Sequence, residues 1–489
     1  MSEEYRVHAR ALLLAFPMTL LAACAALQPF ENAPPSSARP WRAPDLAAYS
    51  AALSETEHAR EPGTVPIDPQ KTYELSELID IAQRTNPETR VAWERARQAA
   101  IAIGLAEGTY YPALAAAATG AVAHVPLPIP TTVVPGGVFT ADTQFVIPTL
   151  SLEWVLLDFG RRRALVDAAR ALTMEATAGF NATHQQVVFG VTREFHALTA
   201  VRGKVAAARA ALAAARSLED AAAARKQNGL ATLPEVLQAQ EETARATYDL
   251  EDAIAAEHDA RMALLETIGI RPGTPIEIAD TSQQPLPPAL EESVDEAIDR
   301  TLTQRPDLIA RLANVRAKEA EVRRARADYW PRLAARTAVA GNIGELKVEN
   351  SPYQGVHELQ YDAGFRFEWS LFEGFERRNK VHLAESMQQE AEDELEHAKD
   401  KAVREVWKAY DDTKVALVKH QAAAALLAAS EKSWAATLES YQHGLATFPD
   451  VRESERNLAR ARTLAQAARA EVLTRAAAFA FSTGDLARP

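Results

Sequence analysis

The stretch NGLATLPEV at residues 228–236 is answered by HGLATFPDV at residues 443–451, 215 positions later. Working outward, Gly269 and Gly484 keep that spacing, as do Leu152-Glu153-Trp154 and Phe367-Glu368-Trp369. Toward the N-terminus the offset becomes 219: Pro87 of RTNPETR (84–90) answers Pro306 of TQRPDLIA (303–310), and Tyr110-Tyr111-Pro112 answers Tyr329-Trp330-Pro331. Two halves that hold register through a single four-residue change, between Pro112 and Glu153, mark an internal duplication. The repeats span 72–271 and 291–485. A proline-rich link at 272–290, with Pro272, Pro275, Pro285, Pro287 and Pro288, joins them. The length change falls where turn residues collect, at 124–144 (Pro126, Pro128, Pro130, Pro135, Gly136-Gly137) and at 341–357 (Gly341, Gly344, Pro352, Gly355), and both read as loops.

Around each loop the pattern has period two. In YDAGFRFEWSLF, 361–372, the odd positions are Tyr, Ala, Phe, Phe, Trp and Leu, against Asp, Gly, Arg, Glu and Ser at the even positions through 370. Leu150, Leu152, Trp154 and Leu156 alternate likewise with Ser151 and Glu153. Such alternation fits a transmembrane β-strand with one apolar and one polar face, and also a soluble hairpin. The alanine-rich 113–123 and 332–341 are the weaker strand partners. Tyr110, Tyr111, Tyr329 and Trp330 stand where strand meets helix, as interfacial aromatics do. Four strands cannot close a membrane barrel, so a membrane reading requires copies to share one: two would give eight strands, three would give twelve.

Glu376 to His443 contains neither glycine nor proline, and as one helix it would reach about 100 Å. Its apolar stripe, Ala384, Met387, Ala391, Leu395, Ala398, Ala402, Val406 and Ala409, steps 3-4-4-3-4-4-3, an eleven-residue repeat. That period favours straight or slightly right-handed packing over the usual left-handed supercoil. Helices of this kind can stand side by side around a tube, although a plain coiled-coil rod would show the same stripe.

The net charge of −13 provides no basic footprint for nucleic acid. Cys24 is the only cysteine, which excludes an intrachain disulfide. It follows Arg6, Arg10 and an apolar core ending Leu21-Ala22-Ala23, the layout of a secretory signal. Leu-Ala-Ala-Cys resembles the bacterial lipobox. Residues 1–23 then read as signal peptide, Cys24 as the lipidated first residue, and 24–71 as an anchored N-terminal linker. An uncleaved membrane anchor is disfavoured by Pro17, and an ordinary signal would need the cysteine to sit there by chance.

A duplicated strand–loop–strand plus long helical hairpin behind a lipobox resembles the TolC-like outer membrane efflux proteins. The likeness rests on Asn86-Pro87 and Arg305-Pro306, on the two aromatic-Pro strand entries, on Leu157-Asp158-Phe159-Gly160 with Phe372-Glu373-Gly374, and on the paired Gly-Leu-Ala-Thr-x-Pro turns. It implies a mainly α chain with a membrane β-barrel: a homotrimer sharing a twelve-stranded barrel in the outer membrane of a Gram-negative bacterium and a twelve-helix periplasmic tube. It also implies docking to a periplasmic adaptor and an inner-membrane pump, so that the protein is a passive exit duct. Small-molecule or metal efflux is the cargo class that the lipobox favours by the same resemblance.

Gly229 and Gly444 suit left-handed helix ends. Thr232-Leu-Pro-Glu235 reads as a capping box that restarts the next helix, and Thr447-Phe-Pro-Asp450 as a shorter variant. By resemblance Gly229, Leu230, Gly444 and Leu445 meet the adaptor. Asp450 and Glu453, three apart and on one helix face, match the family's acidic entrance pair. Acids in a first helical turn also suit the helix dipole. No catalytic or metal-binding constellation emerges: His357-Glu358 lacks a second histidine, and Asp158-Phe159-Gly160 stands without a catalytic loop. The chain therefore reads as neither enzyme nor cofactor protein, apart from the covalent lipid at Cys24. The rival reading is a lipid-anchored periplasmic helical scaffold.

Overall fold

Each repeat runs through the same series of elements. In the first, β1 (Thr72–Tyr73) leads to α1 (Leu75–Thr85), α2 (Pro87–Gly108), β2 (Ala113–Pro128), β3 (Val138–Leu157), α3 (Arg161–Gln227) and α4 (Leu233–Ile268). In the second, β4 (Glu277–Ile278) leads to α5 (Val294–Gln304), α6 (Pro306–Ala327), β5 (Arg332–Val348), β6 (Gln354–Glu368), α7 (Glu376–Gln442) and α8 (Phe448–Thr483). This is a computed structural model describing residues 51–52, 67–128, 138–280, 286, 290, 293–348 and 351–486. It divides into units 1–65 and 66–489, and the elements above belong to the second. Cys24 and nearly all of the linker lie outside the described residues.

Corresponding helices match residue for residue in length: 11, 22, 67 and 36 in both repeats. The repeats differ in their strands, of 16 and 20 residues against 17 and 15, and in the connections around them. Each α1–α2 or α5–α6 break is a proline at the first helical position, where a missing N–H costs nothing. Asn86 caps α2 by accepting from Glu88 N at 2.7 Å, and its amide donates to Thr267 O at 2.9 Å. The returning helix α4 thus docks on the break. In the second repeat Arg305 fills that place, pairing with Asp307 and Glu405 at 2.8 and 2.6 Å. The strands β1 and β4 pair in parallel and tie the start of the unit to the link between the repeats.

The helices pack α4–α3–α8–α7, with α2 and α6 against α3 and α6 also against α7. Small side chains dominate their contacts, among them Ala164, Ala168, Ala215, Ala222, Ala239, Ala253, Ala320, Ala402 and Ala461. The eleven-residue stripe of α7 turns inward at Ala391, Ala402 and Val406, but Met387 is 42% exposed and stands off it.

The sheet is open and antiparallel, ordered β2-β3-β5-β6. Its strands are longer, and its loops shorter, than turn composition suggests. Residues 124–128, 138–144, 341–348 and 354–357 belong to strands. Pro126 and Pro128 are tolerated because β2 is an edge strand. Gly344 is no turn residue; a Cβ there would lie 2.0 Å from Gln144 O, so glycine permits close approach of β3. Pro148 interrupts pairing in the central strand β3 between Val146↔Ile343 and Thr149↔Ala340 without changing the register. The alternating segment expected at 361–372 stops being strand at Glu368. Beyond it Trp369 Nε1 donates to Tyr329 O at 3.1 Å and the Arg377 guanidinium takes Ser370 O, which turns the chain into α7.

Gly269 and Gly484 close α4 and α8 with φ of +84° and +83°. A Cβ on Gly269 would lie 2.9 Å from Asn86 Cα, whereas one on Gly484 would be 3.4 Å from Arg305 Cα. Gly484→Ala is expected to cost about 1–2 kcal/mol, the left-handed penalty alone. Gly269→Ala should cost more, because backbone must move. Denaturant titration of both variants checks this, and equal losses would contradict it.

Candidate functional site

The two hairpin tips are built alike. Gly229 and Gly444 take φ of +73° and +75°, and Leu230 N and Leu445 N each donate back to Arg225 O and Ser440 O at 2.8 Å. Gly229 N and Gly444 N reach Lys226 O and Tyr441 O at 3.0 Å, which completes a Schellman closure in both. Leu230 and Leu445 are left 67% and 83% exposed. The tips lie together: Leu218 and Ala222 of α3, Val236 and Ala239 of α4, Tyr441 of α7, and Phe448 and Val451 of α8 form one apolar cluster. The Arg225 guanidinium covers the Tyr441 ring at 4.7 Å.

Of the two capping boxes expected, only the one at α8 forms. At α8 the short Asp450 completes the capping box, accepting from Thr447 N at 2.8 Å and Thr447 Oγ1 at 2.6 Å. At α4, Thr232 Oγ1 only reaches Glu235 Oε1, at 3.4 Å. An aspartate at that position spans the turn without the extra methylene that lets a glutamate swing outward. The Thr447 hydroxyl and then its backbone N–H hold the Asp450 carboxyl below its ordinary range. Glu453 is exposed one turn on and accepts from Asn457 Nδ2 at 3.3 Å. Asp450 therefore serves its own helix as well as presenting charge at the tip.

A second layer of charge, which sequence reasoning missed, lies just behind. Arg456 of α8 grips Glu242 of α4 through Nε and Nη2, at 3.1 and 2.6 Å. Glu455 beside it is 8% exposed, and burial together with the Glu242 carboxylate pushes its carboxyl up to about 7 against the opposing pull of Arg456. The signal was present as Glu-Arg at 455–456, but nothing along the chain says that position 455 turns inward.

The strand–helix junction is also duplicated in its chemistry. Trp154 Nε1 donates to Tyr110 O at 2.8 Å, as Trp369 does to Tyr329. Arg162 pairs with Asp158 at 2.8 Å, donates to Val155 O at 2.7 Å and covers the Tyr110 ring. Arg377 repeats this with Glu373, Ser370 O and Tyr329. Each junction uses two consecutive left-handed residues, Phe159-Gly160 in one and Gly374-Phe375 in the other. The Asp-Phe-Gly triplet is thus part of a turn from strand into helix.

Because the Asp450 carboxyl is lowered, its cap is present above the ordinary value of 3.8 and is lost as pH falls through the folded value. Asp450→Asn is expected to remove hydrogen-exchange protection from the first turn of α8 at neutral pH, whereas Glu453→Gln leaves that protection intact. Protection unchanged in Asp450→Asn would reduce the cap to an incidental contact.

A model of the outer membrane efflux protein family matches the chain twice, at residues 78–269 and 297–485. Protein CyaE of Bordetella pertussis is 27% identical over 429 residues, covering 86% of each chain. The outer membrane protein VceC of Vibrio cholerae superimposes with a TM-score of 0.69 at 20% identity, over 84% of this chain and 96% of that one. The CmeC outer membrane channel of Campylobacter jejuni gives 0.70 at 18% identity, over 84% and 85%. At these identities the structural likeness is one of fold; the family match, which covers most of both repeats, shows that the chain belongs to the outer membrane efflux proteins, channels rather than enzymes.

Proposed function

We propose that this chain is the outer-membrane exit duct of a tripartite export system, working as a lipid-anchored homotrimer. The observation that carries the reading is the sheet. Register places Leu114, Ala116, Ala118, Gly120 and Val122 of β2 on one face with Val146, Pro148, Leu150, Leu152 and Trp154 of β3. Leu333, Ala335, Thr337, Val339, Gly341 and Ile343 of β5 join them, with Leu359, Tyr361, Ala363, Phe365 and Phe367 of β6. No charged side chain interrupts that set, and most of its large members are exposed, Leu152 and Leu333 being half-buried. The opposite face carries Glu153, Arg332, Arg336, Asp362, Arg366 and Glu368. From Leu359 to Phe367 the apolar face runs about 26 Å along the strand, which suits the hydrocarbon band of an outer-membrane barrel.

Among the described residues β2 and β6 each pair on one side only. In lipid each unpaired edge group costs several kcal/mol, so the edges must meet those of further copies. Three chains give twelve strands, the number that the family resemblance implies, with the charged face lining the lumen. The helices continue the duct into the periplasm and end at the tips, where Gly229, Leu230, Gly444 and Leu445 present exposed apolar turns to an adaptor. Threefold repetition of Asp450 and Glu453 forms acidic rings that draw cations to the entrance. The duct is passive. It accepts what an inner-membrane pump delivers, and small molecules or metal ions are the cargo that the lipobox favours. Acylation of Cys24 holds the linker to the outer membrane.

Single-channel recording in a planar bilayer tests this, with wild type beside Asp450→Ala/Glu453→Ala. The expected result is a small cation-selective conductance that grows or loses selectivity in the double variant. Conductance unaffected by the substitutions keeps the duct and removes the acidic rings; an oligomer with neither conductance nor a heat-modifiable barrel supports the scaffold instead. Intact-mass analysis of the mature N-terminus should show acyl chains that disappear in Cys24→Ser.

A further inference from the structure

Behind the tips, α3, α4 and α8 enclose a cleft of about 260 Å³. Helix α3 contributes only Ala208, Ala211 and Ala215 to it, whereas α4 contributes Glu242, Arg245 and Asp249, and α8 contributes Glu455 and Arg456. Arg456 bridges α8 to α4, and both its gripping nitrogens go to Glu242. Glu453 and Glu241 also act on Arg456 from farther off. Glu455 is thus a second carboxyl turned into a contact whose guanidinium is already committed, 92% removed from solvent beside a wall of alanine. Arg245 and Asp249 are exposed at the cleft mouth.

A neutral Glu455 fits this arrangement: it adds no charge, and the Glu242–Arg456 pair closes α4 onto α8. An ionised Glu455 does not fit, because it places a desolvated negative charge beside Glu242 with no cation of its own. We propose that Glu455 is a proton-operated latch on the α4–α8 contact behind the entrance, holding the tip closed when neutral and releasing α8 from α4 when ionised. The inference rests on the duct reading for its functional consequence, though not for the movement itself. Glu455 acts through the helix contact as a positioning residue and needs no contact with cargo.

The sign follows from which arrangement holds the proton more tightly. The packed cleft raises the carboxyl from 4.5 to about 7, so closure gains stability below that range and loses it as pH rises through neutrality. The entrance should therefore open at mildly alkaline pH and close at mildly acidic pH.

The test uses the full-length protein at pH 6 and pH 8, on either side of the Glu455 value of about 7. In planar bilayers wild type should show an open probability higher at pH 8 by about tenfold, the part of the change from 4.5 to about 7 in proton affinity that falls between those two pH values. Glu455→Gln should stay at the low, acid level at both values. Independently of conductance, nitroxides on Gln240→Cys and Arg460→Cys, in a Cys24→Ser chain, report the α4–α8 separation. That distance should lengthen from pH 6 to pH 8 and stay short in Glu455→Gln. A pH response that persists in Glu455→Gln, or a spin–spin distance that ignores pH, overturns the latch. Absence of conductance in every sample counts against the duct, and the nitroxide pair then decides the latch alone.

Discussion

Everything about this chain hangs on hydrogen bonds that it cannot complete by itself. Four strands leave two edges, and the face between them is too apolar to stand in water. A soluble protein would cover such a sheet with a helix, or blunt its edges with charge. Here neither β2 nor β6 carries a cover among the described residues, and the helices begin only where the apolar face ends. Sharing the edges among copies satisfies both demands at once. In the proposed trimer the same operation would set the long helices around a common axis. The number of strands, the length of the helices and the placement of the tips are therefore one constraint seen at different heights.

The duplication shows which parts of that design tolerate change. All four helix lengths are conserved between the halves to the residue, because a slip of one position along a 67-residue helix would rotate every later alanine off its contact. Strand lengths differ, since strands can end at different heights without disturbing the pairing that holds them. Between the strands and the long helices, each junction keeps its tryptophan, arginine, acid and tyrosine, while exchanging the order of phenylalanine and glycine at the two left-handed positions. Backbone shape is held there by the arginine, which collects carbonyls from the last strand whichever residue carries the strain.

At the tips, charge is layered by depth. Asp450 and Glu453 are solvated, and water screens much of what they do to one another. Glu242 and Glu455, farther along the helices, are largely removed from solvent, which makes their interaction with Arg456 count for more. An odd carboxyl in such a place is a poor structural choice and a useful switching element, since its cost depends on whether it carries a proton.

The sequence by itself determined the repeat, the one long helix free of glycine and proline, the glycine turns and the alternation that gives the sheet two unlike faces. These follow from covalent period and from residues whose backbone freedom is unusual, and such properties are local. Prolines and glycines misled where tertiary context changed their meaning: Pro126 and Pro128 are edge-strand residues, and Gly344 makes room for a neighbouring backbone rather than for a turn. Met387, on stripe by period, is left 42% exposed. Capping went to Asp450 rather than Glu235 through a difference of one methylene in reach. Only the tertiary structure decided that Arg456 meets Glu242 across 214 residues and that Glu455 turns inward beside them. Burial and charge pairing belong to the space between elements, and no periodicity along one helix contains them.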